Sequence, residues 1–300
     1  MIMLTLLEML GCRYPVIQGP IAALNSPKMI AAICEAGAFG MLALGFSNPD
    51  EAKRLVGEVR ALTAKPFGAN LMIMNPANPK ILEILAEVGV KTVTTSAGSP
   101  KSIYPQIHAL GMKGLHSVLS LSYAVKAEEA GVDGLCVSGL EAGGLRSTGP
   151  ESTTMVLIPL VADHVKIPVA AAGGIADSRG YRAALALGAQ GVQIGTAFIV
   201  CEESPAPKAW KEAILKCSDG STVLLPLGNM NMRVIMNPKV MDELRNPEVD
   251  PAHVYNLMNA PEAWTKGNFD LFPAGAGQVS ALLKEVKPVR AFIEAMVSTT

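Results

Sequence analysis

Eight short runs of apolar residues, separated by helix-forming segments, constrain this chain more than any other feature. In order they are Val16–Pro20, Phe39–Leu44, Phe67–Met72, Thr92–Ser96, Lys113–Leu119, Gly134–Gly139, Pro168–Gly174 and Gly191–Phe198. Runs that are apolar throughout, with no polar alternation, suit strands buried on both faces, as in a parallel sheet covered by helices. The segments between them carry helix starts, such as Ser26 before Pro27 and Asn48 before Pro49, and helix-ending glycines. Eight such units predict an α/β fold, a closed (β/α)8 TIM barrel; an open doubly wound sheet is the alternative.

After Phe198 the rhythm stops. Residues 201–274 hold a helical segment (PAPKAWKEAILKCS), a short extended piece (STVLLPLGN) and a Met- and Asn-rich stretch broken by Pro226, Pro238, Pro247, Pro251 and Pro261. This composition predicts a small, mainly helical capping domain over the barrel mouth. Residues 1–200 and 275–300 are expected to form the barrel, the last of them as one or two helices returning to its wall.

A net charge of −1 offers no electrostatic footprint to nucleic acid or an anionic membrane. The opening MIMLTLLEML contains Glu8 and lacks a basic flank, so it reads as neither signal peptide nor membrane span, and a cytoplasmic enzyme is expected. Cys12, Cys34, Cys136, Cys201 and Cys217 form no C-x-x-C pair and have no histidine at zinc spacing. Buried free thiols and no metal are the expectation. A homodimer follows only from symmetry base rates.

Function is expected on the loops at the C-terminal ends of the strands. Gly173-Gly174 and Gly195-Thr196 end the last two runs, where bare backbone N–H groups and a following helix N-terminus hold phosphate. Gln18-Gly19-Pro20-Ile21-Ala22 has the small residues that let a flat ligand approach the backbone, and Asn70 could pair with the edge of a heteroaromatic ring. Gly143-Gly144, in the loop after the sixth run, is a weaker candidate of the same kind.

In order, YPVIQGP, FGANL, EAGG, PVAAAGGIADSRG, GVQIGTAF with CEESP after it, and AGQV resemble the nitronate monooxygenase (2-nitropropane dioxygenase) family, which includes flavin-dependent enoyl-acyl-carrier-protein reductases. The resemblance implies an FMN-binding barrel. The FMN phosphate would lie on Gly173, Gly174, Gly195 and Thr196, and the ring would face Gln18, Gly19, Pro20, Ile21, Ala22, Asn70, Gly143 and Gly144, with Gln193 beneath. In the family the EAGG motif is followed by a histidine that moves the substrate proton; here that position is Leu145.

An isobutyl group neither takes nor gives a proton. Of the possible replacements, His116 on the fifth run is expected in or near the mouth, read first as a hydrogen-bonded core histidine, and Glu141 is read as an anchor for the glycine loop. His108 and His164 fall in outer helices and His253 in the cap, without recognisable carboxylate partners. Three functional readings follow: an FMN oxidoreductase using a nitronate-like anion or NAD(P)H, an enoyl-thioester reductase, and a flavin-binding module with little turnover. A flavin-free phosphosugar barrel would share only the two phosphate loops.

Overall fold

The computed structural model describes residues 5–21 and 24–298. Strands β1 (Val16–Gln18), β2 (Met41–Ala43), β3 (Gly68–Met72), β4 (Thr92–Ser96), β5 (Lys113–Val118) and β6 (Gly134–Ser138) are followed by β7 (Gly144–Arg146), which leaves the barrel for a second sheet. β8 (Val169–Ala172) and β9 (Gly191–Ile194) complete the parallel set, in the order β1-β9-β8-β6-β5-β4-β3-β2. β1 closes the ring onto β2: the Gln18 N–H donates to the Phe39 carbonyl at 2.9 Å and the Phe39 N–H to the Val16 carbonyl at 2.8 Å.

Helices α1 (Leu6–Leu10), α2 (Pro27–Glu35), α3 (Pro49–Leu62), α4 (Asn78–Glu87), α5 (Tyr104–Ala109), α6 (Leu121–Glu129), α7 (Thr154–Ala162) and α8 (Ser178–Ala186) precede the short α9 (Thr196–Ile199). The expected starts are present: Ser26 Oγ accepts from the Met29 N–H, and Asn48 Oδ1 from the Glu51 N–H. α1 is an element the strand-counting pattern overlooks. Its Thr5–Glu8 capping box starts a single turn whose Leu6, Met9 and Leu10 plug the barrel floor against Ile17, Phe39, Met41, Leu115, Cys136 and Ala170.

Strand register separates two faces. Ile17, Met41, Leu115, Cys136 and Ala170 form the inner core, and the residues one position on, such as Leu42, Val137 and Ala171, pack outward under the helices. Two residues above the inner core, the same parity brings Asn70, Thr94, Ser96, Ser117, Ser138, Ala172 and Gln193 to the mouth. The interior is therefore apolar below and largely polar above.

Beyond α10 (Lys208–Leu215), strands β10 (Thr222–Pro226) and β11 (Asn231–Ile235) join β7 in an antiparallel sheet of order β10-β11-β7. α11 (Pro238–Arg245), α12 (Pro251–Val254) and α13 (Ala260–Lys266) pack beside it around Leu225, Met232, Val234, Tyr255 and Phe272. The expected extended piece is β10; β11, inside the stretch read as irregular, is the strand that pairs with β7 and so ties this sheet to the loop after β6. α14 (Val289–Val297) returns to pack on α2 and α8. Among the described residues no helix is long and apolar enough to cross a membrane.

Candidate active site

The mouth is best built from its two glycine turns. Gly173 and Gly174 follow β8 with φ of +92° and +73°, a region that disfavours any side chain. A Cβ on Gly173 would also lie 2.9 Å from the Ala142 nitrogen, because the turn packs beneath the EAGG loop. Among the described residues, the N–H groups of Gly173, Gly174, Gly195 and Thr196 meet no protein acceptor. The dipole expected to help them is partly spent: Asp177 Oδ1 accepts from the Arg179 and Gly180 N–H groups and so caps α8 with a carboxylate. The amides of the turns carry the anion-binding capacity.

Gln193 supplies the second sign of a ligand. It sits on the inner face at the end of β9, and its Oε1 is buried with no hydrogen-bond partner. A buried amide oxygen left alone costs about 1–3 kcal/mol, so a donor from a bound molecule fits there. Asn70 is buried across the mouth, its Nδ2 donating to Thr94 Oγ1 at 2.9 Å and its Oδ1 lying 3.5 Å from the Ser96 hydroxyl.

The loop after β1 plays a different part. Gln18 is in register with Ile194, and its Oε1 accepts from the Met41 N–H at 3.3 Å, supplying the rung that the β1–β2 ladder lacks at that point. Its side chain secures barrel closure. The Gly19 N–H donates to the Ile194 carbonyl at 2.7 Å, and a Cβ there would stand 3.2 Å from that oxygen, so glycine lets the ends of β1 and β9 meet. Pro20 and Ile21 are half-buried at the rim, and Ala22 lies outside the described residues.

Gly143 and Gly144 are not simply a turn, since Gly144 begins β7. A Cβ on Gly143 would lie 2.8 Å from the Gly277 nitrogen, which puts the C-terminal AGQV segment directly on the EAGG loop. Leu145 is paired with Met232 of β11 and is 38% exposed. Glu141 Oε2 accepts from the Thr154 N–H at 2.8 Å, and the Thr154 hydroxyl is 2.9 Å from the Gly173 carbonyl oxygen. That carboxylate links the loop after β6 to the turn after β8.

The expected placement of His116 requires correction. Its register partner is Thr95, on the outward parity, and its Nδ1 lies 2.8 Å from Thr95 Oγ1, which is also 3.3 Å from the Tyr104 hydroxyl on α5. It faces the helix layer, where burial pushes its pKa down to about 4. The outer histidines are not all without acids: His108 Nε2 lies 2.9 Å from Asp133 and His253 Nδ1 3.8 Å from Asp250. Neither histidine hydrogen-bonds to a Ser, Thr or Cys side chain among the described residues.

Residues overlooked in the sequence hold the loops in place. Arg233, buried on β11, donates through Nε and Nη2 to the Leu140 carbonyl at 3.2 and 3.0 Å, and desolvation followed by the nearby Arg146 lowers its pKa. Arg146 pairs with Glu151 at 2.8 Å in full burial and donates to the Ser138 carbonyl. The available signal was a charged residue in the middle of the apolar NMRVI. Among the described residues there is no group of three or more side chains suited to a metal, and a cleft lined by Ala176, Asp177, Val200, Lys284 and Phe292 opens outside the mouth.

The chain is similar to known proteins along most of its length. A profile of the nitronate monooxygenase family matches residues 4–81 and 75–298. Over 334 aligned positions the chain is 31% identical to the nitronate monooxygenase of Paraburkholderia phytofirmans, covering 94% of this chain and 91% of that protein. FabK from Thermotoga maritima superposes with a TM-score of 0.88 at 34% identity, covering 97% and 94% of the two chains. A nitroalkane oxidase from Streptomyces ansochromogenes does so at 0.83 and 25% identity, covering 97% and 96%.

Proposed function

The chain belongs to the nitronate monooxygenase family of flavin-dependent oxidoreductases, and from that premise we propose that it binds FMN at the mouth and oxidises a nitronate-like anion or accepts reducing equivalents from NAD(P)H. The observation that carries this reading is the pairing of four unbonded amides, at Gly173, Gly174, Gly195 and Thr196, with the orphaned Gln193 Oε1. The amides suit a phosphate dianion and the amide oxygen suits a ring N–H. Gly19, Pro20, Ile21, Asn70, Gly143 and Gly144 would border the ring. The barrel would be residues 1–200 and 275–300, with 201–274 as the cap.

Bound FMN supplies two-electron chemistry; the protein's own groups bind, orient and exclude water. Leu145 provides no proton acceptor where the family has histidine. Glu141 is committed to Thr154, and His116 is turned toward the helices. A substrate that arrives already deprotonated avoids the step these residues do not serve, which favours a nitronate over a neutral nitroalkane. Gly173, Gly174 and Gln193 would position the cofactor, and the hydroxyls of Ser117 and Ser138, which meet no protein partner among the described residues, would be free to orient substrate oxygen atoms.

The similarity to FabK favours a second reading, reduction of an enoyl thioester, in which the proton would come from water or one of those hydroxyls. The purified protein is expected to be yellow, or to take up FMN and reject riboflavin, because the phosphate carries the affinity. A colourless protein that cannot be reconstituted removes the proposal. Anaerobic mixing with NADH, NADPH, an alkyl nitronate or, after reduction, an enoyl thioester then separates the readings. Rapid bleaching by any donor excludes an inert binding module.

A further inference from the structure

The rim of the mouth has an uneven chemistry. Loops 19–26, 44–48, 73–77 and 119–120, which follow the first, second, third and fifth strands, contain no Asp, Glu, Lys or Arg, and the connection 97–103 after the fourth holds Lys101 alone. Two of them instead hold large apolar side chains out in solvent, Phe46 at 62% and Met74 at 70% exposure. These side chains stand on loops fastened to each other. A Cβ on Gly45 would lie 2.5 Å from Met72 Cγ, and Asn75 Nδ2 donates to the Ser47 carbonyl at 3.0 Å. A third contact, Gly98 against Ile73, braces the β3 loop from the β4 side.

Exposed apolar side chains of this size, held on a braced surface beside the polar end of the barrel, mark a binding surface. We propose that Phe46 and Met74 form a ledge that selects the substrate by an uncharged hydrocarbon portion, while its reacting head lies in the polar layer of Asn70, Ser117 and Ser138. The ledge rests on the reading of the mouth as the redox site. With no charged residue on the two loops that carry Phe46 and Met74, and Lys101 the one cation on the five, a second anionic group on the substrate finds no partner on the ledge, and burying it there is costly. Each methylene laid against Phe46 and Met74 is favourable by contrast. The substrate class is therefore a single polar head on an apolar chain or ring, larger than a short nitroalkane.

The test uses the FMN-loaded protein and the Phe46→Ser/Met74→Ser double variant with primary alkyl nitronates from ethyl to hexyl, and with ω-carboxylated nitronates of the same lengths. For the unaltered protein KM should fall at least about tenfold along the alkyl series, and the double variant should hold the series within about threefold. The carboxylated series should show no such gain in either protein. Nile red fluorescence gives a readout independent of turnover: it should rise with the FMN-free and FMN-loaded protein and weaken in the variant.

An FMN-loaded protein whose KM ignores chain length, or a variant with the same slope as its parent, overturns the ledge and leaves the cofactor reading intact. A protein that takes up no FMN, yet whose Nile red binding depends on Phe46 and Met74, removes the cofactor reading and retains an apolar site. If the variant changes the sedimentation mass and leaves the chain-length slope alone, the surface is an interface between copies, and the ledge is rejected.

Discussion

Gly277 donates its backbone N–H to Thr196 Oγ1 at 2.9 Å, joining the segment that follows α13 to the first residue of α9. The same glycine lies against the EAGG loop, where a Cβ would come within 2.9 Å of the Glu141 carbonyl oxygen and 3.0 Å of the Gly143 nitrogen. Three loops distant in sequence thus meet at one buried amide beside the proposed phosphate site.

Thr196→Val keeps the shape of the side chain and removes the acceptor. The buried Gly277 N–H is then left alone, which should lower stability by about 1–3 kcal/mol in a denaturant titration. Thr196→Ser should recover most of it. FMN affinity should fall in the valine variant as well, because the bond fixes the residue whose amide would face the proposed phosphate, and equal stability in both variants would show that the hydrogen bond holds nothing.

The two glycines after β8 should respond differently to alanine. At Gly174 the new methyl group meets only Glu141 atoms at 3.6 Å and beyond, so the cost is the left-handed backbone, about 1–2 kcal/mol. At Gly173 it also meets the Ala142 nitrogen at 2.9 Å, and that backbone must move. Gly173→Ala should therefore lose more stability and more FMN affinity than Gly174→Ala, as measured by thermal melts and flavin fluorescence. The reverse order would place the phosphate elsewhere.

The barrel was legible because apolar runs and capped helices are local signals repeated eight times. The glycine turns were legible for the same reason, since a strand ending in Gly-Gly is a local pattern. The turned-out His116 depends on strand parity, which a run apolar on both faces conceals. β11 was hidden because NMRVI pairs with Gly144–Arg146 from another part of the chain, and Arg233 makes sense only once Leu140 is beside it. The bond from the Met41 N–H to Gln18 Oε1 was hidden because it completes a rung of the barrel that closure alone creates.

His116 ties stability to pH. Burial lowers its folded pKa from 6.5 to about 4, so between those values the unfolded chain binds the extra proton. Its contribution is fully present above pH 6.5 and is lost as pH falls toward 4, about 3 kcal/mol over the whole window. Denaturant titrations from pH 7 to 4.5 should show this decline, and His116→Asn should flatten it. Because the ring faces Thr95 and Tyr104, the same substitution should leave the pH profile of substrate oxidation unmoved; a shifted profile would bring His116 back into the chemistry.

Leu145→His should restore what the family position provides. The site is an exposed strand position opposite Met232, so an imidazole there needs no burial and should titrate near its ordinary value of about 6.5. A positioned base contributes about 10²–10⁴ in rate, and only to a substrate that must lose a proton. The variant should therefore raise kcat/KM for a neutral nitroalkane and leave that for the corresponding nitronate nearly constant, with a new pH dependence in the nitroalkane reaction alone. Glu141→Gln is the companion: Gln still accepts from the Thr154 N–H, so a loss of a few-fold marks an anchor, and a loss near 10² marks a base. If Leu145→His shifts neither substrate, position 145 does not reach the reacting carbon, and the chain's choice of substrate must then be explained by the apolar ledge of Phe46 and Met74 rather than by the missing imidazole.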